Sequence, residues 1–392
     1  MKIKSIEAFE VDLSRGRIDS TGEKKQTGSY KMKDREPASP MESYQAYHGK
    51  RSSWGPKWQS IACIATAEDG TFGIGLSNNS GPVARIVNDH FASHIVGGDC
   101  MATEKAFDML CRLATPYGAY GLSSFAISAV DLALWDLKGK LLERPVYELL
   151  GGPQKESIPC YATGFDLEWY IELGFRAVKL PMPFGPMDGL DGLKKTEELV
   201  AIARQRIGDK IELMLDCWMA LDVEYTVRLA EILKPYRLKW IEDFLLPEDM
   251  EGFARVRERI PWQTLATGEH WYLPQTFYTA MRRGLVDVFQ PDLLWSGGIS
   301  ACVHICHMAR SSGVSVIPHG GMNWPYGQHL AYAMPAVPLG ERSGGVSSPG
   351  VKLENVVALP GTAVVRDGNL IPSDAPGFGI EVNKKWLDAI SI

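Results

Sequence analysis

Six short apolar runs decide the fold: IELMLDC (211–217), LKWIED (238–243), TLATGEH (264–270), VDVFQPD (286–292), VSVIPHG (314–320) and AVPLGE (336–341). An unbroken apolar run is what a strand buried on both faces needs. Segments of helical length and period separate the runs, and that alternation predicts a parallel sheet. Upstream, FRAVKLPMP (175–183) and IPCYATG (158–164) add two more strands of the same kind. Eight strands in all predict a modified (β/α) barrel of the TIM type, in which chemistry sits where the strands end. Here the ends carry Asp216, Glu242, Glu269, Asp292, His319 and Glu341.

The rest of the chain predicts an α+β capping domain. KIKSIEAFEVDL (2–13) alternates as a strand, and IACIATAEDGTFGIGLS (61–77) reads as a hairpin turning at Asp69-Gly70. Residues 14–59 are polar and rich in Gly and Ser, and a loop of that length reads as a flap over a site. The stretch 123–152 has a strong helix pattern, with Gly139 expected to interrupt or end its first helix and Asp131 and Asp136 expected on its polar side or edge. The expected division is 1–125 for the cap, 126–350 for the barrel and about 351–392 returning to the cap. Within that tail, 356–372 is expected to supply edge strands to the first domain.

With 392 residues, 45% of them hydrophobic, the chain can bury cores for two such domains. A net charge of −6 with no basic tract argues against nucleic acid as a partner. No apolar run is long enough to span a membrane, and the first residues lack a signal peptide's apolar core. Seven scattered cysteines suit a reducing cytoplasm rather than a disulfide framework. The CVHICH stretch (302–307) reads as ordinary helix, and Gly73-x-Gly75 is no dinucleotide fingerprint because no helix opens after it.

Asp216, Glu242 and Glu269 stand 26 and 27 residues apart, on successive strand ends. Three carboxylates converging on one point repel, and a divalent cation resolves the conflict. All-oxygen ligands favour Mg²⁺ over zinc. Asp292 and His319 stand 27 apart on neighbouring ends, and a carboxylate on one ring nitrogen makes the imidazole a better base. Glu341 is placed to hydrogen-bond an intermediate, to donate a proton, or simply to pair with Arg342. His270 donates to a substrate oxygen or supports the metal site. Lys179 binds a substrate carboxylate or pairs with one of the metal acids. This rim predicts proton abstraction beside a carboxylate and leaves elimination and racemisation both open.

The stretches SAVDLALWDLKGK (128–140), VYELLGG (146–152), LMLDCWMALDVEYTVRLAEILKPYRLKWIEDFLLPEDMEGF (213–253), TGEH (267–270), QPDLLWSGGI (290–299) and PHGG (318–321) resemble the enolase superfamily, in its mandelate-racemase-like branch. The likeness is greatest to the L-rhamnonate dehydratases and runs over nearly the whole chain. It implies one Mg²⁺ per subunit held by Asp216, Glu242 and Glu269, with His319 and Asp292 as the general base and Glu341 near the intermediate. Racemases of this branch carry Lys-x-Lys on the second strand, where this chain has Lys179-Leu180-Pro181, so the second base is absent. The resemblance places Arg51, and loosely Lys31, among the substrate-binding residues. It implies an acid-sugar dehydratase giving a 2-keto-3-deoxy acid from L-rhamnonate, L-lyxonate, L-mannonate or a relative. A racemase or epimerase and a non-catalytic ligand-binding protein are the other readings. The family also implies a closed homo-oligomer, often octameric.

Overall fold

The structure is a computed structural model that describes residues 1–16, 35–343 and 346–392, with only the backbone of Lys384. At its N-terminal side, β1 (Ile3–Val11), β2 (Ser60–Ala67) and β3 (Phe72–Ser77) form an antiparallel sheet in that order. The β2–β3 hairpin turns where expected, with Gly70 at φ +89°. Helix Leu122–Leu141 lies across β2 and β3. The contact is so close that a Cβ at Gly73 would stand 2.2 Å from the Ala133 carbonyl, and one at Gly75 2.1 Å from that of Ala129. The two glycines of β3 therefore exist to let helix backbone approach sheet backbone.

This helix corrects two expectations. It runs through Gly139 to Leu141, and Gly139 is there because Gly377 packs against it, 2.6 Å from where a Cβ would sit. Asp131 and Asp136 are buried rather than on a polar face. The helix is sandwiched between the sheet and the barrel, so it has no solvent side to receive them. The division expected at residue 126 falls inside this helix.

The barrel strands are β4 (Ile158–Thr163), β5 (Ala177–Pro181), β6 (Glu212–Asp216), β7 (Ile241–Glu242), β8 (Leu265–Thr267), β9 (Val288–Phe289), β10 (Ser315–Val316) and β11 (Gly340–Arg342). All pair in parallel from β4 through β10, and β11 pairs with β4. Between β10 and β11 the closure is a backbone hydrogen bond from Val316 N to Ala336 O, 2.9 Å. The eighth strand thus starts later than 336, because Pro338 has no N–H to offer a ladder. Tyr161, Ala177, Met214, Trp240, Ala266, Val288 and Ile317 meet inside the barrel, so its interior is filled rather than open. Crossover helices such as Gly189–Ile207, Val223–Leu233 and Gly298–Ser311 cover the outside.

The tail also departs from expectation. Asn369–Leu370 (β12) pairs antiparallel with β4 in the barrel and not with the first sheet. The return is made farther on, where Gly377 meets Val146 and where Ile390 O accepts from Asp12 N at 2.8 Å. Among the described residues no helix is long and apolar enough to cross a membrane.

Candidate active site

The parallel register brings the ionisable residues to one rim. Pro181 stands beside Asp216, and Asp216 beside Glu242. Glu269, Asp292 and His319 lie two or three residues past the ends of β8, β9 and β10, and Glu341 lies in β11. Non-glycine residues take left-handed φ here: Trp218 at +38°, Met219 at +62° and Asp243 at +51°. Such conformations are costly, and they cluster where a structure must aim side chains.

Lys179 is buried at the centre of the acids. Its amine hydrogen-bonds Glu242 Oε1, lies 2.8 Å from Glu341 Oε1 and 3.8 Å from Asp216 Oδ2. Glu242 Oε2 accepts from Trp240 Nε1 at 2.8 Å and from Gln290 Nε2 at 2.7 Å. Glu341 accepts from Thr163 Oγ1 at 2.6 Å and from Gly320 N at 2.9 Å, so among the described residues its partners are these and Lys179 rather than Arg342. Burial alone would raise Glu341, but Lys179 and His319 hold it well below the usual carboxylate range. An ionised Glu341 accepts hydrogen bonds and does not donate one.

Burial pushes Asp216, Glu242 and Glu269 upward, and neighbouring acids add to the push while Lys179 or His319 opposes it. These are the marks of negative charge packed beyond what the protein itself neutralises. Two sets of three ligand atoms lie within 4.8 Å of one another among the described residues, and one is Asp243, Glu269 and His270 at this rim. Asp216 and Glu242 stand outside that tight set, with Lys179 reaching between them. Asp243 Oδ2 and His270 Nδ1 are 3.3 Å apart yet not aligned for a hydrogen bond, so both are buried without a partner of good geometry. Asp243, with its unpartnered oxygen, and the neighbouring Glu269, Asp216 and Glu242 make an oxygen-rich rim that fits a hard divalent cation.

Across the rim, His319 Nδ1 lies 2.8 Å from Asp292 Oδ2 and Nε2 lies 3.4 Å from Glu269 Oε2. The Trp295 ring packs 5.2 Å from the imidazole. Burial would lower the His319 pKa, but Glu269, the Asp292 hydrogen bond and Glu341 raise it well above its ordinary value. Above the rim opens a cavity of about 950 Å³ walled by Arg51, Trp54, Phe125, Trp218, His270 and Trp295.

Arg51 belongs to the segment expected as a flap, and it reaches the site. Its guanidinium lies 3.1 Å over the Trp218 ring; burial lowers its pKa, against the charges of Asp216, Glu269 and Asp243. The flap is tied down by a second charge cluster. Arg35 Nη2 lies 3.1 Å from Glu42 Oε2 and 2.6 Å from Asp188 Oδ2, and His48 Nε2 lies 3.1 Å from Asp188 Oδ1. Gly49 N donates to Glu42 Oε1 at 3.1 Å, two residues from Arg51. Lys31, expected beside Arg51, lies outside the described residues. Sequence reading missed Asp243, Gln290, Trp218 and Trp295. The second acid of WIED was the one available signal for this group.

A family model described as "Enolase C-terminal domain-like" matches residues 166–386. The chain belongs to the enolase superfamily. A model for the "Mandelate racemase / muconate lactonizing enzyme, N-terminal domain" matches residues 53–151 and places the chain in that branch. It is similar to the L-rhamnonate dehydratase of Saccharopolyspora erythraea, 40% identical over 291 residues, 74% of this chain and 75% of that one. The solved structure of rhamnonate dehydratase from Gibberella zeae complexed with Mg superposes with a TM-score of 0.88 at 31% identity, covering 100% of this chain and 96% of that one. A racemase from Streptomyces coelicolor with bound magnesium superposes at 0.77 and 25% identity, covering all of both chains.

Proposed function

We propose that this protein is a magnesium-dependent acid-sugar dehydratase, a hydro-lyase that turns an aldonate into a 2-keto-3-deoxy acid. The observation that carries the reading is a single His319–Asp292 dyad facing the acid rim, with Pro181 where a two-base racemase would need its second base. Asp216, Glu242 and Glu269 would hold Mg²⁺, with Asp243 and His270 beside them. Bound there, the cation would neutralise the substrate carboxylate, making the α-proton removable, and would offset the Glu269 charge that raises the His319 pKa.

The protein's own groups do the rest. Asp292 holds the Nδ1–H of His319, which leaves Nε2 as the proton acceptor. The α-carbon–hydrogen bond breaks toward Nε2, and the proton on the imidazolium then goes to the departing β-hydroxyl. The carbon–oxygen bond breaks, water leaves, and the enol left behind tautomerises to the 2-keto-3-deoxy acid. Arg51 binds the substrate from above, and Lys179 keeps Glu242 and Glu341 in place. Aromatic walls above the rim suit the methyl end of L-rhamnonate better than the hydroxymethyl end of L-mannonate. An apolar wall rejects an added hydroxyl only by about 10²-fold. L-Mannonate, which adds that hydroxyl, and L-lyxonate, which lacks the methyl altogether, are expected as slower substrates.

Purified protein with Mg²⁺ and a stereochemically complete aldonate panel tests this reading. Formation of a 2-keto-3-deoxy acid from L-rhamnonate or a near relative is the expected result. Deuterium entering the α-position without loss of water would make the protein a racemase or epimerase instead. Binding with neither outcome would make it a non-catalytic homologue. The proposed enzyme is a cytoplasmic homo-oligomer, and light scattering measures whether its subunit number is the eight often found in the family.

A further inference from the structure

Helix Leu122–Leu141 is buried nearly throughout, yet it carries Ser124, Ser128 and Asp131 at intervals of four and three residues. That spacing puts them on one face. Buried polar groups need partners, and all three find them in one short segment of the barrel. Ser124 Oγ donates to Trp295 O, Gly297 N donates to Ser128 Oγ at 2.8 Å, and Ser300 N and Oγ donate to Asp131 at 3.0 and 2.6 Å. The end of β3 adds two more contacts. Ser77 Oγ donates to Leu294 O at 2.6 Å, and Trp295 Nε1 donates to Asn78 Oδ1 at 2.8 Å.

The segment so gripped is the one that aims the dyad. Asp292 O accepts from Trp295 N at 3.1 Å and from Ser296 N at 2.9 Å. Asp292 Oδ1 accepts from Leu294 N at 2.7 Å, which leaves Oδ2 for His319. The backbone bond to the Asp292 carboxylate thus comes from Leu294, and Leu294 and Trp295 are both held from the other side by the cap. Trp295, whose ring lies against His319, is held at both its carbonyl and its indole nitrogen.

We propose that Ser77, Ser124, Ser128 and Asp131 are positioning residues through which the capping layer sets the Asp292–His319 hydrogen bond. None of them touches the substrate cavity's acids. The inference rests on His319 being the base of the reaction proposed above. It assigns the cap a part in catalysis besides covering the site.

The test uses full-length, magnesium-loaded protein carrying Ser124→Ala with Ser128→Ala, and separately Ser77→Ala. Two readouts are taken: the Nδ1–H resonance of His319 in ¹⁵N-histidine-labelled protein at fixed pH, and kcat and KM with the aldonate that turns over. The double variant is expected to move that resonance upfield and speed its exchange with solvent. It is also expected to lower kcat about tenfold or more while KM stays within about twofold, as misplacement from a distance does. Ser77→Ala is expected to do the same more weakly, and it answers the question if the double variant fails to fold. An unchanged resonance and unchanged kcat, with only a lower melting temperature, would reduce the ladder to a joint between layers and overturn the proposal. The resonance needs no turnover, so failure of the aldonate assay leaves this test standing.

Discussion

The barrel rim and the flap above it are held by different physics. The rim acids are placed by backbone: each sits on or just past a parallel strand whose neighbours fix its direction. The flap is placed by side chains: Arg35, Glu42, His48 and Asp188 meet from two parts of the chain far apart in sequence, and a backbone bond from Ala38 N to Met182 O at 2.8 Å seconds them. A site built this way keeps its chemistry rigid and lets its selectivity be retuned by a few surface-loop residues.

The largest effects are expected at the rim. Chelating divalent metal is expected to abolish turnover, and adding Mg²⁺ back to restore it, as followed by keto-acid formation. Glu242→Gln is expected next in size. It keeps the shape but removes a charged ligand from the acid set and from Lys179, so Mg²⁺ affinity should fall by more than the roughly tenfold to hundredfold that loss of a ligand's hydrogen-bond partner costs, as read by calorimetric titration. A smaller effect is expected at the flap. Glu42→Gln removes the buried carboxylate that gathers Arg35, His48 and Gly49, and it should raise KM about tenfold with kcat little changed. Should Glu42→Gln lower kcat as much as a rim substitution does, the separation of rim from flap would fail.

The smallest effect sharpens the link between cap and barrel. Burial raises the Asp131 carboxyl to about 7, against the hydrogen bonds from Ser300, whereas an unfolded aspartate titrates near ~3.9. The folded state therefore binds the extra proton between those values. Asp131's contribution to stability is fullest below about pH 4 and is lost as pH rises through about 7. Asp131→Asn, fixed in a neutral form, should flatten the dependence of the urea midpoint on pH over that window.

What could be read from the sequence divides along the same line. Asp216, Glu242, Glu269, Asp292 and His319 were legible because a buried strand announces itself as an apolar run, and the residue closing it marks the rim. Glu341 was legible although its strand begins late, since Pro338 interrupts pairing and not direction. Asp131 and Asp136 were misread because a helix buried on every side offers no apolar stripe against which polar residues stand out. The flap cluster was invisible for another reason: nothing local to Glu42 or His48 signals Asp188, about 140 residues away. The tail's pairing with β4 rather than the first sheet was equally non-local.

The most direct measurement is turnover of the best aldonate by His319→Asn at saturating Mg²⁺, beside its Mg²⁺ affinity. The account predicts that the ion still binds with near wild-type affinity while kcat falls by about 10²–10⁴-fold, the weight of a general acid–base group. A variant that turns over at close to the wild-type rate would contradict it.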